Sequence, residues 1–377
     1  MTSYDSVSME EGTACIYRDK LARIIEKIDT GLVDFSAPRK RASPPTQVSS
    51  EFLTNKEQGD WAERTLLDGI NQHSKRFVAV MYGKNDNIVA GEENFTEFYE
   101  AYQEELDAVG KRPDILIFDR KDFPFSNTYD ISDWGEELEE IVPKAKCGIE
   151  VRSSAFLIDK YEAFMHKRTD MVTKQALGLR QKLLQSPLRE TLQSKSNDLF
   201  EIVHSLNASN LSLLTFRKPS WKSTPELRRV VSCLSELKEC LSLLRKRTYL
   251  SITPKIEDLQ VVYTWVRHYN VPHYYVQVFF DKAYGISFQQ ILTLLANPEK
   301  EGIEYSIEGD VKNQYKQTVK INAAKQNSVL QQIDLPSHKS IMKELGRGRL
   351  LFYVTFGNSA SIINQEGFRQ LFGFELE

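Results

Sequence analysis

Long apolar runs are missing from this chain. None approaches the roughly 18 residues needed to cross a bilayer, and the opening MTSYDSVSMEEGTACIYRDK lacks the basic-then-apolar order of a secretory signal. Together these absences predict a cytoplasmic protein with no membrane partner. Cysteine is scarce: Cys15, Cys147, Cys233 and Cys240 form no CxxC pair and have no histidines at zinc spacing. A disulfide framework and structural zinc are therefore disfavoured, and free buried thiols are expected. An excess of one charge is also absent, since 49 Lys and Arg stand against 52 Asp and Glu, net −3. The molecule is not a polycation, so any nucleic-acid site must be a local patch. No repeat of fixed period occurs, and only residues 36–50, SAPRKRASPPTQVSS, have the Ser and Pro content of a linker. What remains is ordinary globular usage, 41% hydrophobic and 27% charged over 377 residues. That is enough for one large domain or two of common size.

Residues 10–33 carry Ile16, Leu21, Ile24, Ile25 and Ile28 at helical spacing, predicting an amphipathic helix. After the linker, Trp61, Ala62, Thr65, Leu66 and Ile70 mark one face of a helix beginning near Lys56 and carrying Glu63. FVAVMY (77–82) reads as a strand, residues 95–109 as a helix, DILIFD (114–119) as a buried strand and CGIEVR (147–152) as another. The acidic stretch 120–145 between them is expected to face solvent. From about Phe156 to Arg247 leucines recur every three or four residues, with interruptions near Pro187 and Pro219, predicting a helical insertion. A helix over 255–268 follows, with Thr253 as its cap and Pro254 at its first position. Next come strands at 273–281, 303–307, 316–321 and 349–356 and a helix at 287–296. The order is α/β with helical elaboration.

Hydrolysis of a phosphodiester calls for a metal that activates water and neutralises phosphate charge, and hard Mg²⁺ takes carboxylate oxygens. Asp114 follows Pro113, while Glu150 and Arg152 share one face of the strand at 147–152 by alternation. With Glu63 on a preceding helix, three acids arrive in the order helix, strand, strand, the arrangement of the PD-(D/E)XK nucleases. Each short pair alone recurs by chance. The plain structural alternative is a strand-end Asp and a solvated Glu–Arg pair.

The blocks SSEFLTNKEQGDWAE (49–63), RPDILIFD (112–119), GIEVRSSAFL (148–157), LSITPKIEDLQVVYTW (250–265) and VPHYYVQVFFDKAYGISF (271–288) resemble type II restriction endonucleases, most closely the AccI-like group. The resemblance implies a PD-(D/E)XK core of mixed sheet flanked by helices. It further implies a Mg²⁺-dependent homodimer that cuts both strands of double-stranded DNA at a short palindromic site, with Asp114 and Glu150 as metal ligands and Glu63 as the helix carboxylate. The organisation expected is an N-terminal helix and linker (1–48), the first part of the core with the catalytic motif (49–157), a helical insertion open to DNA contact (158–247), and the second part of the core with a C-terminal DNA-contacting region (248–377). Two rival readings are a DNA-binding protein with an inactive nuclease core and a structure-selective repair nuclease.

The family's motif ends in Lys, whereas this chain has Arg152. A guanidinium does not deprotonate in proteins, so Arg152 can brace a phosphate but cannot act as a base. Lys255, at the start of the helix after SITP, is the alternative source of positive charge, against the reading of a surface lysine. Ser153 and Ser154 follow the motif and could donate to a phosphate or cap a turn. Further DNA-contacting candidates are Arg39 and Lys40 in the linker, Lys312 and Lys316 in KNQYKQTVKINAAK, and Arg347 and Arg349 in GRGR. Cations also recur at Lys167, Arg168, Lys174, Arg180 and Lys182 along the helical insertion. His268 and His273, with no acid cluster beside them, read as packing or surface residues.

Overall fold

The structure is a computed structural model that describes residues 17–84, 88–125, 128–310 and 316–376. The chain divides into two units: residues up to Ile158 together with those from Leu250 onward, and Asp159–Tyr249. In chain order the elements of the first are α1 (described over 17–25), α2 (Ser50–His73), β1 (Phe77–Met81), α3 (Phe95–Ala108), β2 (Ile115–Asp119), α4 (Glu137–Ile141) and β3 (Cys147–Ser154). The helices α5 (Ile158–Leu183), α6 (Leu188–Lys195), α7 (Asn197–Ser205) and α8 (Pro225–Leu244) follow. The chain then returns through β4 (Ser251–Ile252), α9 (Ile256–Tyr269), β5 (His273–Phe279), β6 (Ala283–Ser287) and α10 (Phe288–Leu295). It ends with β7 (Tyr305–Asp310), β8 (Lys316–Asn322), β9 (Asn327–Ile333), β10 (His338–Leu345), β11 (Arg349–Phe356), β12 (Ser361–Ile363) and α11 (Gln365–Phe372).

A seven-stranded mixed sheet runs β1-β2-β3-β5-β6-β9-β12. Among its described strand pairs β3–β5 is the parallel one, which requires a long crossover, and the chain supplies it through α5 to α9. Alternation along β3 sends Ile149 and Val151 into a core with Trp61 and Leu66 of α2 and Phe368 of α11. The opposite face meets α9 and α10, where His273 lies between the rings of Trp265 and Phe288 at 5.9 Å from each. Helices thus flank both faces of an α/β fold, as expected. A three-stranded sheet β4-β8-β7 and a hairpin β10-β11 complete the unit. The helical unit has a core of its own, built from Val172, Leu179, Phe200, Val230, Leu234, Leu237 and their neighbours.

Several local expectations shift. The helix placed near Lys56 starts at Ser50, because the Ser49 side chain accepts from Phe52 N at 3.0 Å and caps it. Thr253 does not cap α9. Its hydroxyl donates instead to Gln277 Oε1 at 3.1 Å, while the Pro254 carbonyl accepts from Val319 N and Lys255 bridges to Thr318, so α9 begins only at Ile256. The acidic stretch 120–145 is not simply solvent-facing, since it buries Phe123, Ile131, Leu138, Ile141 and Val142. Residues 10–16 of the first expected helix lie outside the described residues, as does Cys15; Cys147, Cys233 and Cys240 are free and buried.

Between α3 and β2 the chain turns through Gly110 at φ +95°, where a Cβ would run into the backbone of Val261 and Trp265. The next residue, Lys111, donates its N–H to the Val261 carbonyl at 3.0 Å. Only glycine fits this approach of loop to helix. Gly110→Ala is expected to destabilise the protein by more than about 1 kcal/mol. Gly59→Ala, in mid-α2 with nothing within 4 Å of the added carbon, is expected to stabilise it by roughly 0.5–1 kcal/mol. Urea-unfolding midpoints of the two variants check both signs.

Candidate active site

The β2–β3 register pairs Ile115 with Ile149, so one step further sets Asp114 opposite Glu150. Asp114 is held there by its backbone and its carboxylate. Its carbonyl accepts from Tyr82 N and Gly83 N, and its Oδ2 accepts from Val151 N at 2.6 Å. Gly83 permits this fit, since a Cβ there would stand 3.1 Å from the Asp114 Cα. Asp114 and Glu63 line one cleft of about 230 Å³ together with Asp60, Arg64 and Lys84. The structure therefore brings Glu63 to Asp114 and Asp114 to Glu150. Among the described residues, however, no three His, Cys, Asp or Glu side chains converge on a single metal-sized point.

Glu150 is 2% exposed and sits in a four-membered ion cluster. Lys111 Nζ lies 2.5 Å from Glu150 Oε1 and 3.1 Å from Asp258 Oδ2. Arg152 Nη2 lies 2.9 Å from the same Glu150 oxygen and 2.8 Å from the same Asp258 oxygen. Two carboxylates and two cations thus share two oxygens. Burial opposes ionisation of Glu150, yet Lys111 and then Arg152 outweigh it and hold the carboxyl below its ordinary value. Asp258 is likewise depressed, burial being outweighed by the same two cations and by Lys255. Asp114 goes the other way: burial first and the Glu150 charge second push it up to about 7. Glu150 Oε2 and Arg152 Nε, with the Tyr275 hydroxyl across the register, are buried without hydrogen-bond partners among the described residues.

The sequence pattern missed Lys111 and Asp258. Lys111 stands three residues before Asp114 and outside the strand motif; Asp258 falls in a Glu-Asp pair at a helix start, which ordinarily reads as compensation for the helix dipole. Lys255 does come close. Burial lowers its pKa, Asp258 acts against that, and the charges of Arg152, Lys111 and Lys316 add to the lowering. Lys316 opens β8 and is exposed. Ser153 is engaged by α2: with its amide turned to suit its surroundings, Gln58 accepts from Ser153 Oγ and Ser154 N, each at 3.2 Å.

Other candidates lie elsewhere. Arg39 pins the linker onto α3, through Asp107 at 2.9 Å and Gln103, while Lys40 is exposed. Arg349 opens β11 and donates to Gln47 at 3.0 Å, so it is not one of two flexible cations in a loop. Lys312 and the Arg347 side chain lie outside the described residues. His268 pairs with Glu139 at 3.0 Å, and His273 is fully buried, lowered to about 3 by that burial.

A family model for the AccI restriction endonuclease matches residues 15–377. The chain belongs to that family. As an AccI-family restriction endonuclease it is a type II site-specific deoxyribonuclease, acting on double-stranded DNA. No curated protein and no solved structure gives a match. No helix among the described residues is long and apolar enough to cross a membrane.

The raised Asp114 gives this endonuclease a pH-dependent stability. Its folded pKa, about 7, lies above the roughly 3.9 of an unfolded Asp, so the native carboxylate is penalised above pH 7 and relieved as pH falls towards 4. Asp114→Asn keeps an acceptor for Val151 N and removes the charge. In chelator it is expected to raise the urea midpoint at pH 8, with a gain that shrinks steadily towards pH 5. A gain independent of pH would show that the charge of Asp114 is not what strains the site.

Proposed function

We propose that this restriction endonuclease hydrolyses phosphodiesters with Mg²⁺ in a PD-(D/E)XK core and, as a cytoplasmic homodimer, cuts both strands of a short palindromic site. The observation that carries this reading is the pairing of Asp114 with Glu150 at one end of β2–β3, with Glu150 Oε2 buried and unpartnered. Two carboxylates are what Mg²⁺ commonly takes when substrate phosphates and water fill its other positions, so the residues fit the ion. When bound, Mg²⁺ neutralises phosphate charge and lowers the pKa of an attacking water. Support for the core comes from the topology: a helix, an antiparallel β1-β2-β3 meander, a crossover helix and a strand, β5, parallel to β3.

In this reading Asp114 and Glu150 would hold the metal, and Glu63 would orient water in the cleft it shares with Asp114. Arg152 places fixed positive charge beside the phosphate. Twofold symmetry follows from the substrate, because one carboxylate pair per chain serves one strand and a palindrome presents two equivalent strands.

Charge is unevenly divided between the two units. Residues 159–249 contain 17 Lys and Arg against 9 Asp and Glu, net +8, which leaves 32 against 43, net −11, for the rest of the chain. The catalytic unit repels phosphate on balance, so the helical unit supplies the sequence-independent grip on the duplex. Lys167, Lys174 and Lys182 are exposed along α5 and suited to that task.

Glu150→Ala and Asp114→Ala are expected to abolish plasmid cleavage in Mg²⁺ while DNA binding persists, since each removes a ligand and a charge that repels phosphate. Discrete fragments from either variant would refute the site. For the grip, Lys167→Gln with Lys174→Gln is expected to flatten the log Kobs against log [salt] slope by about 0.9 for each phosphate that is no longer neutralised. An unchanged slope would place the phosphate-binding cations elsewhere.

A further inference from the structure

The strand motif of this endonuclease ends in Arg152, and the ion cluster around Glu150 holds a second cation, Lys111, from outside the motif. We infer that Lys111, delivered by the α3–β2 turn and held by Asp258, supplies catalytic positive charge beside the two acids in addition to that of Arg152. The inference rests on the reading of Asp114 and Glu150 as the catalytic carboxylates and extends it to a residue outside the motif.

Three observations carry it. First, position: Lys111 Nζ is 2.5 Å from Glu150 Oε1, closer than the 2.9 Å of Arg152. Its charge also acts on Asp114 more strongly than that of Arg152 does. Lys111 is the cation closest to Glu150. Second, delivery: α9 grips this residue at both ends, Val261 accepting its backbone N–H at 3.0 Å and Asp258, one turn earlier on the same helix, meeting its ammonium at 3.1 Å. Gly110, at φ +95°, makes that approach possible. Third, among the described residues Lys111 is the lysine that pairs with both Glu150 and Asp258, whereas Lys255, the other amine near the cluster, forms no ion pair with either.

The role is electrostatic. As the water oxygen bonds to phosphorus and the P–O3′ bond breaks, the water proton passes to solvent and the leaving 3′ oxygen takes a proton from solvent. Lys111 keeps its own proton throughout and stabilises the negative charge that grows on the phosphate. Asp258 touches no reacting atom and is a positioning residue, acting through Lys111.

The test is single-turnover cleavage by the full-length enzyme at saturating Mg²⁺ and DNA, with DNA affinity measured separately in chelator. Lys111→Gln is expected to slow cleavage by about a hundred- to thousand-fold, the loss seen on removing one preorganised donor, with affinity changed less than threefold. Lys111→Arg keeps the charge, remains foldable if the Gln variant does not, and should cut at least tenfold faster than any folded neutral variant. Asp258→Asn should slow cleavage in the wild-type background and add little to Lys111→Gln, because a residue acting through another is non-additive with it. Near-wild-type cleavage by Lys111→Gln, equal loss in Lys111→Arg and a folded neutral variant, or full additivity with Asp258→Asn would each overturn the inference. Glu150→Ala run in parallel separates the failures: if it cuts normally, the carboxylate site itself is wrong, whatever Lys111 does.

Discussion

Everything at the centre of this sheet depends on a charge balance that no one element can supply. Glu150 is buried on β3, and an isolated carboxylate there would lose its hydration with nothing in return. Lys111 from a turn, Arg152 from the same strand and Asp258 from α9 bring the sum of formal charges to zero. Deleting Lys111 or Arg152 leaves the buried Glu150 with one cation where it had two. The cluster joins β3, α9 and the α3–β2 turn through four ion pairs. It also accounts for Gly110 and Trp265, whose close fit allows Lys111 to reach the carboxylates.

The neighbouring Asp114 is placed differently. It stands outside the shared-oxygen cluster, raised by burial and by Glu150, with a single backbone N–H as its hydrogen-bond donor. Two carboxylates opposite one another, one neutralised by cations and one raised by burial and by its neighbour's charge, form an asymmetric pair.

The same logic holds at the scale of the chain. The helical unit, net +8 against −11 for the rest of the chain, is inserted into the crossover between the parallel strands β3 and β5. A long connection is obligatory at that point in a mixed sheet, so the insertion enlarges an existing requirement and leaves the sheet order intact.

Much of this was legible in the residues. Alternation in CGIEVR separates Ile149 and Val151 from Glu150 and Arg152, because period two is a property of the extended backbone and needs no partner. The leucine spacing of 158–247 likewise indicates helices, and Pro-Asp before an apolar run marks Asp114 as a strand-end carboxylate. What was not legible depends on contacts distant in sequence. Thr253 reads as a cap until Gln277 draws off its hydroxyl, Arg39 reads as a free cation until Asp107 holds it, and nothing local distinguishes Lys111 from any other turn lysine. The sequence alone determined the α/β class and the faces of β3 and α2, since these follow from backbone periodicity and residue chemistry, and it missed β6, β9, β10, β12 and α11. Which cations stand beside Glu150 was decided only by the tertiary structure, because Lys111 and Asp258 are 147 positions apart and meet only where the folded sheet packs α9 against the turn before β2.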